Sequence, residues 1–324
     1  MKADQFFPFL KHPDSDAAVE FIIKDGQLVD KASGRQYPVI SSMIDFQGSF
    51  RKDSQEVKKG LMFKLNTIFS KYIDFYILTS IFACGGVGFI NVRNKVKQWI
   101  NRFATDQTLF LEPEEKRLAS YIGSENSLTV EDLASKNVMP ALKDLPDINA
   151  SHEQLPIRSS SFQNIISYFI IEHVKHPRQH IKEIERVLKP GGYAILGGPG
   201  DVYPSHRIPY NYFNIIRYGY HEMFKEFNLE LVEEYFPAKS WMSILYLSNT
   251  TIVRNSYYNK NQYTKMFQLI IYAVSLVISP FLNLLALFLD KITPFDKRVY
   301  SLYMALLRKP DNDILKDNQN EDPE

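Results

Sequence analysis

LPIRSSSFQNIISYFIIEHVKHPRQHIKEIERVLKPGGYAILGGP, residues Leu155–Pro199, decides the fold. Ile165–Phe169 (IISYF) is rich in β-branched and aromatic residues and predicts a buried strand. From Pro177 to Leu188, apolar Ile181, Ile184, Val187 and Leu188 recur near helical spacing among charged residues, which predicts an amphipathic helix. Pro190 cannot continue that helix, and a following glycine can take positive φ and turn the chain into a strand at Tyr193–Leu196. Strand, helix and strand in that order are the unit of a parallel sheet covered by helices on both faces.

The alternation extends outward. Upstream, Gln107–Leu111 is a strand, Glu114–Ile122 a helix, and Leu128–Val130 a strand ending at Glu131-Asp132. Downstream come a helix at Tyr220–Phe227 and strands at Leu229–Tyr235 and Val299–Leu307. Such sheets bind ligands beyond the carboxyl ends of their strands. Residues 1–46 read as a small β-rich module, with strands at Val19–Lys24, Gln27–Val29 and Gln36–Ile40 and a hairpin turn at Asp25-Gly26. Residues 47–106 read as mainly helical, and the uncharged run Phe75–Val92 as a buried helix followed by a turn. The polar, acidic tail from Asp311 predicts disorder.

Composition removes several classes of function. The chain has 324 residues, 45% hydrophobic and 23% charged, which suits a folded body with a core. Its 38 basic and 37 acidic side chains leave a formal charge of +1, too little for affinity through many neutralised phosphates, so no nucleic-acid partner is expected. One cysteine, Cys84, excludes an internal disulfide and a Cys-rich zinc cluster, and fits a reducing cytoplasm. The N-terminal sequence MKADQFFPFLKHPDSD lacks the apolar core of a signal peptide.

The Leu155–Pro199 stretch resembles the central signature of class I S-adenosylmethionine-dependent methyltransferases of the type 11 group. It carries Leu155-Pro156, Ser161-Phe162, Glu172-His173-Val174, Pro177, Glu183, Arg186-Val187-Leu188-Lys189-Pro190-Gly191-Gly192 and Pro199 in the family's order. The likeness extends more loosely over about residues 60–310, including Tyr72-Ile73-Asp74. It implies an α/β fold over residues 47–310: a Rossmann-like, seven-stranded methyltransferase sheet with helices on both faces. An apolar helical insertion at 256–295 precedes the last strand. Residues 1–46 resemble the small Trm112-like domain through Tyr37-Pro38-Val39 and Ile44-Asp45-Phe46. That domain's Cys knuckle has become His12-Pro13-Asp14-Ser15, so no zinc site is expected and the module is read as structural or partner-facing.

The resemblance implies S-adenosylmethionine as cofactor and names its site. In the family the first strand ends in an acid and a GxGxG loop. Here Thr108–Leu111 runs into Glu112-Pro113-Glu114-Glu115, where side chains crowd the approach and carboxylates repel a carboxylate. Asp132 matches the acid that binds the ribose hydroxyls, and Ser151 replaces the acid at the adenine amine. The cofactor-binding candidates are Leu111, Glu112, Asp132, Ser151, His152 and Tyr168. A rival alignment makes Cys84-Gly85-Gly86-Val87-Gly88 the glycine loop. His173, His206 and Tyr210 are the catalytic candidates, because a neutral imidazole could take a substrate proton as the methyl arrives. Many acceptors need only orientation.

Met266–Leu289 is uncharged for 24 residues, long enough to span a bilayer. Pro280 is expected to break or kink it. A single crossing would separate the strands at Leu229–Tyr235 and Val299–Leu307, so a broken hairpin dipping into one leaflet is expected, with a buried lid over the site as the other reading. Either favours a small-molecule or lipid-like acceptor, or a partner's hydrophobic surface, in a cytoplasmic protein peripheral to the inner face of a membrane. Two functions remain open: a methyltransferase with a modified cofactor site, and a catalytically silent relative acting as a scaffold or binding protein at the membrane.

Overall fold

The computed structural model describes residues 2–13, 19–49, 81, 86–103, 107–111, 126–135, 145–201, 210–258, 262–295 and 297–311. Its strands are β1 (Phe21–Lys24), β2 (Gln27–Asp30), β3 (Gln36–Ile40), β4 (Met43–Asp45), β5 (Thr108–Leu111), β6 (Ser127–Glu131), β7 (Ile148–Asn149), β8 (Phe162–Tyr168), β9 (Leu188–Pro199), β10 (Glu230–Lys239) and β11 (Tyr300–Arg308). The helices are α1 (Val87–Phe103), α2 (Pro177–Val187), α3 (Arg217–Glu226), α4 (Ser240–Tyr258) and α5 (Gln262–Ile292). The expected helices at 114–122 and over 47–80, Cys84-Gly85, Asp14-Ser15 and the tail from residue 312 lie outside the described residues.

The strands form one sheet in the order β1-β2-β3-β4-β7-β6-β5-β8-β9-β11-β10. From β4 through β9 in that order every neighbouring pair is parallel, while β11 lies antiparallel between β9 and β10. The parallel α/β expectation holds. The described sheet has eleven strands, because the N-terminal strands β1–β4 continue it beyond β7: Ile44 and Asp45 of β4 pair in parallel with Ile148 and Asn149 of β7. Asp25 and Gly26 both take positive φ (51° and 73°), as the tight β1–β2 turn requires. The N-terminal segment also packs on the Leu155–Arg158 turn. Phe6 stacks on Phe162 at 6.0 Å, and Arg158 donates to the carbonyls of Leu10 (3.0 Å) and Val19 (2.6 Å).

Two apolar layers sandwich the sheet. Ile181, Ile184 and Val187 of α2 and Tyr220, Met223 and Phe224 of α3 fill one core. Val92, Val96, Trp99 and Ile100 of α1 fill the other, with Met242 of α4 and Ala286 of α5. α2 ends one residue before its expected end, because Leu188 already pairs with Phe162 and β9 starts there. Gly191 takes φ 72° as expected, and its N–H donates to the Lys309 carbonyl at 2.9 Å, closing the start of β9 onto the end of β11.

Three expectations are corrected. The rival glycine-loop alignment would place another strand between β5 and β8, but Leu109 of β5 pairs directly with Ile165 of β8. Gly88 instead serves packing, since a Cβ there would lie 2.7 Å from Cβ of Ala238 on β10. The break at Pro280 is not seen: α5 runs unbroken for 31 residues, and the Ser279 hydroxyl bonds the Ser275 carbonyl in the same turn. The helical hairpin is formed by α4 against α5, not within 266–289.

Candidate functional site at the carboxyl edge of the sheet

Leu111, Glu131, Asn149, Tyr168 and Pro199 end the five parallel strands β5 to β9 along one edge. The register carries this edge further. Leu302 faces Pro199, and Ala238 faces Leu302, so β11 begins and β10 ends there too.

At the β6 tip, Asp132 is half-buried and its Oδ1 accepts a hydrogen bond from Gln47 Nε2 at 3.0 Å. Asp45 is buried behind it. Its Oδ1 accepts from the N–H groups of Gln47 (3.1 Å) and Gly48 (2.9 Å) and from Asn149 Nδ2 (2.7 Å). Asn149 Oδ1 in turn accepts the Leu133 N–H at 3.0 Å. The loop after β4 is thus tied to the tips of β6 and β7. A cavity of about 300 Å³ lies alongside, lined by Arg35, Tyr37, Phe46, Gln47, Ser151 and Gln154 among others.

The turn after β7 is held from α2. Glu183 Oε2 accepts the Leu155 N–H at 2.8 Å, while Arg186 reaches the carbonyls of Ile157 (2.7 Å) and Leu155 (3.2 Å) and both Glu183 oxygens (2.8 Å each). His180, fully buried, lies between the His152 carbonyl (Nδ1, 3.0 Å) and Ser167 Oγ (Nε2, 2.9 Å). A carbonyl only accepts, so Nδ1 carries the proton and Nε2 accepts from the hydroxyl. Burial, with the neighbouring His152, lowers the His180 pKa to about 4. The unfolded chain therefore takes up a proton near pH 6.5 that the folded chain refuses until about pH 4. Stability is full above pH 6.5 and falls as pH drops through that window. The expected loss between pH 7 and pH 5 is about 2 kcal/mol from this group, read by urea unfolding at both values. His180→Gln should flatten that dependence, and an unchanged slope in the variant would refute the assignment.

At the β8 tip, Phe169 takes φ 57°, a conformation bulky residues rarely adopt. Its ring lies 6.1 Å from Phe89 of α1, which lies 5.4 Å from Tyr246 of α4. This aromatic row joins the strand tip to the α4–α5 hairpin. His173 Nδ1 donates to the Tyr210 carbonyl at 2.9 Å, and Nε2 is 3.8 Å from Glu172. The Glu172 carbonyl accepts the Tyr212 N–H at 2.7 Å. Below, Glu234 receives Arg217 (2.7 and 3.0 Å), Lys297 (2.5 Å) and His221 (3.2 Å). Burial raises the Glu234 pKa, but the hydrogen bonds from Arg217 and Lys297 win and bring it to about 2. That cluster fixes α3 to β10.

The sequence-predicted residues divide. Asp132 and Ser151 stand at neighbouring strand tips, Ser151 on the cavity wall. Leu111 closes β5 with its side chain in the core. The His152 ring is buried, 6.1 Å from His180, and Tyr168 is buried against Phe169. His173 and Tyr210 meet through the Tyr210 carbonyl, while the Tyr210 side chain is exposed. Glu112 and His206 lie outside the described residues. Sequence reasoning missed Gln47 and Asn149. Only the β4–β7 pairing brings them to the edge, and no local pattern announces a contact across some hundred residues.

For S-adenosylmethionine, the donor chemistry fits the nucleoside half. A carboxylate sits at the β6 tip and a hydroxyl at the β7 tip, beside a cavity. The stretch expected at the methionine half, Glu112-Pro113-Glu114-Glu115, lies outside the described residues.

Residues 108–196, from β5 into β9, match the profile of a methyltransferase domain. No curated protein matches the chain. Solved structures with a loose likeness include a Galdieria sulphuraria protein described as a sarcosine dimethylglycine methyltransferase, at 14% identity over 67% of this chain and 86% of that one, with a TM-score of 0.40. Haemonchus contortus phosphoethanolamine N-methyltransferase 2 has 14% identity over 64% and 49%, with a TM-score of 0.37. The YcgJ protein of Bacillus subtilis has 13% identity over 64% and 94%, with a TM-score of 0.36. The domain match supports a methyltransferase-like protein with S-adenosylmethionine as its cofactor.

Proposed function

We propose that the chain transfers a methyl group from S-adenosylmethionine to an apolar, lipid-like acceptor entering between the β8 and β9 tips. The observation that carries this is Asp132 at the β6 tip, inside the matched methyltransferase segment and beside the central strand β5. When bound, the cofactor supplies an already activated methyl group. The chain then has three tasks. Asp132 accepts the ribose hydroxyls and Ser151 offers its hydroxyl to the base edge. The row Phe169, Phe89 and Tyr246 gives the acceptor an apolar wall. His173, its Nδ1–H held by the Tyr210 carbonyl, keeps its Nε2 lone pair to receive a proton.

Two observations favour a second reading. Gln47 already donates to Asp132, and the acid expected at the base is Ser151, which fits a silent relative that binds without catalysing. Titration calorimetry with S-adenosylmethionine separates them. Saturable heat is expected for the first reading. A folded protein that gives no heat at millimolar ligand eliminates it.

A further inference from the structure

α5 is built inside out. In water, an amphipathic helix turns its large apolar residues inward and its polar ones outward. Here the inward stripe is Ser275, Ser279, Asn283 and Ala286, all buried at helical spacing. Asn283 Nδ2 donates to the Ile81 carbonyl at 2.8 Å. Facing outward are Phe267, Ile270, Val274, Val277, Phe281, Leu284 and Phe288; Val277, Phe281 and Leu284 are 69%, 72% and 66% exposed. Ala273–Ile292 is long and apolar enough to cross a membrane, yet only 22% of it is buried. Small and polar residues toward protein with large apolar ones outward is the arrangement of a helix solvated by lipid. A buried lid would need the reverse. The largest apolar patch on a soluble monomer is ordinarily roughly 300–600 Å², and a face of seven large side chains along about six turns is hard to contain within that.

The surroundings select a lipid surface over a protein one. No charge interrupts residues 266–289. At the C-terminal end of α5, exposed Lys291 and Arg298 place basic groups beside this face, next to Lys297, which pairs with Glu234. Beside it, partly exposed Trp241 donates its indole N–H to Thr293 at 3.3 Å, the kind of aromatic placement found at a membrane–water boundary. Protein interfaces instead carry a polar rim around an apolar centre. β10 and β11 are adjacent, so α4 must leave and α5 return on the same side. α4 contains Ser248, Asn249, Thr250, Thr251 and Arg254, which opposes drawing it through a bilayer.

We propose that the outer face of α5 beds in one leaflet of a bilayer, with anionic headgroups near Lys291 and Arg298. The hairpin springs from the carboxyl edge of the sheet, so the lipid surface lies at the mouth of the candidate cleft. This docking is independent of whether the cleft transfers a methyl group.

The test is flotation of the full chain with vesicles of phosphatidylcholine alone and of phosphatidylcholine mixed with phosphatidylglycerol. The wild type should float with both and more completely with the anionic mixture. The variant Val277→Glu, Phe281→Glu, Leu284→Glu should lose flotation at least tenfold with an unchanged melting temperature, because these side chains contact solvent rather than core. Brominated lipid should quench part of the tryptophan fluorescence, reporting Trp241, since the other tryptophan, Trp99, is 1% exposed. Failure of the wild type to float with either vesicle, or equal flotation of the folded variant, overturns the proposal. So does a wild-type dimer in light scattering that the triple variant converts to monomer without any vesicle binding, which would mean that a second copy covers the face. Calorimetry with S-adenosylmethionine reads the cleft separately.

Discussion

Replacing Arg186 by alanine lowers the unfolding free energy by about 3–5 kcal/mol. The guanidinium donates to Glu183 through two nitrogens at 2.8 Å and caps the carbonyls of Ile157 and Leu155. Glu183 is itself buried and also accepts the Leu155 N–H. Alanine at 186 leaves a buried carboxylate with one neutral donor, and leaves two carbonyls without theirs. Such stranded groups are costly, whereas removing both partners of a buried pair together is far milder. Glu183→Leu combined with Arg186→Met should therefore recover more than half of the loss. Arg186→Lys should recover little, since a point charge cannot fill a planar fork that serves both Glu183 oxygens and two carbonyls together. Urea unfolding measures all three. A loss below about 1 kcal/mol for the alanine variant would show that the pair behaves like an exposed one.

That pair also shows what could be read from the chain. The spacing of Glu183, Arg186 and the Lys189–Gly192 stop is local, so α2, its end and the following strand were legible as pattern. What Glu183 and Arg186 do was not, because their partners, Leu155 and Ile157, lie 28 and 29 residues earlier in the chain. The same limit hid the N-terminal share of the edge. Residues 1–46 read as a separate module because hairpins pair locally, while β4 with β7 is a two-residue parallel contact with no periodic signature. β7 itself was too short to predict. α5 was legible as apolar length, but its orientation was not. Hydropathy counts Ser275, Ser279 and Asn283 as weaknesses of a membrane helix, and packing shows them turned toward protein. Pro280 misled for a related reason: a proline forfeits one helical hydrogen bond, which the remaining turns of a 31-residue helix outweigh.

Asp132→Ala weakens S-adenosylmethionine binding about 100-fold if the β6 tip holds the ribose. Hydrogen bonds to a charged acceptor contribute about 1.5–3 kcal/mol each, and one carboxylate can take both hydroxyls. A loss of about 3 kcal/mol is roughly two decades in Kd. Asp132→Asn, which keeps the shape and one acceptor oxygen but no charge, should fall between. Gln47 decides which of the two readings survives. Its Nε2 bond to Asp132 Oδ1 either holds the carboxylate in place for the ribose or takes the ribose's position. Asp45 fixes the backbone of that loop through the N–H groups of Gln47 and Gly48, so the amide is presented from an anchored turn. A support of that kind predicts that Gln47→Ala binds the cofactor a few-fold more weakly. Tighter binding in Gln47→Ala would make the amide a plug, and would favour the silent relative over the enzyme. Asp132→Ala binding as tightly as the wild type would remove the ribose assignment, and with it the observation on which methyl transfer is proposed.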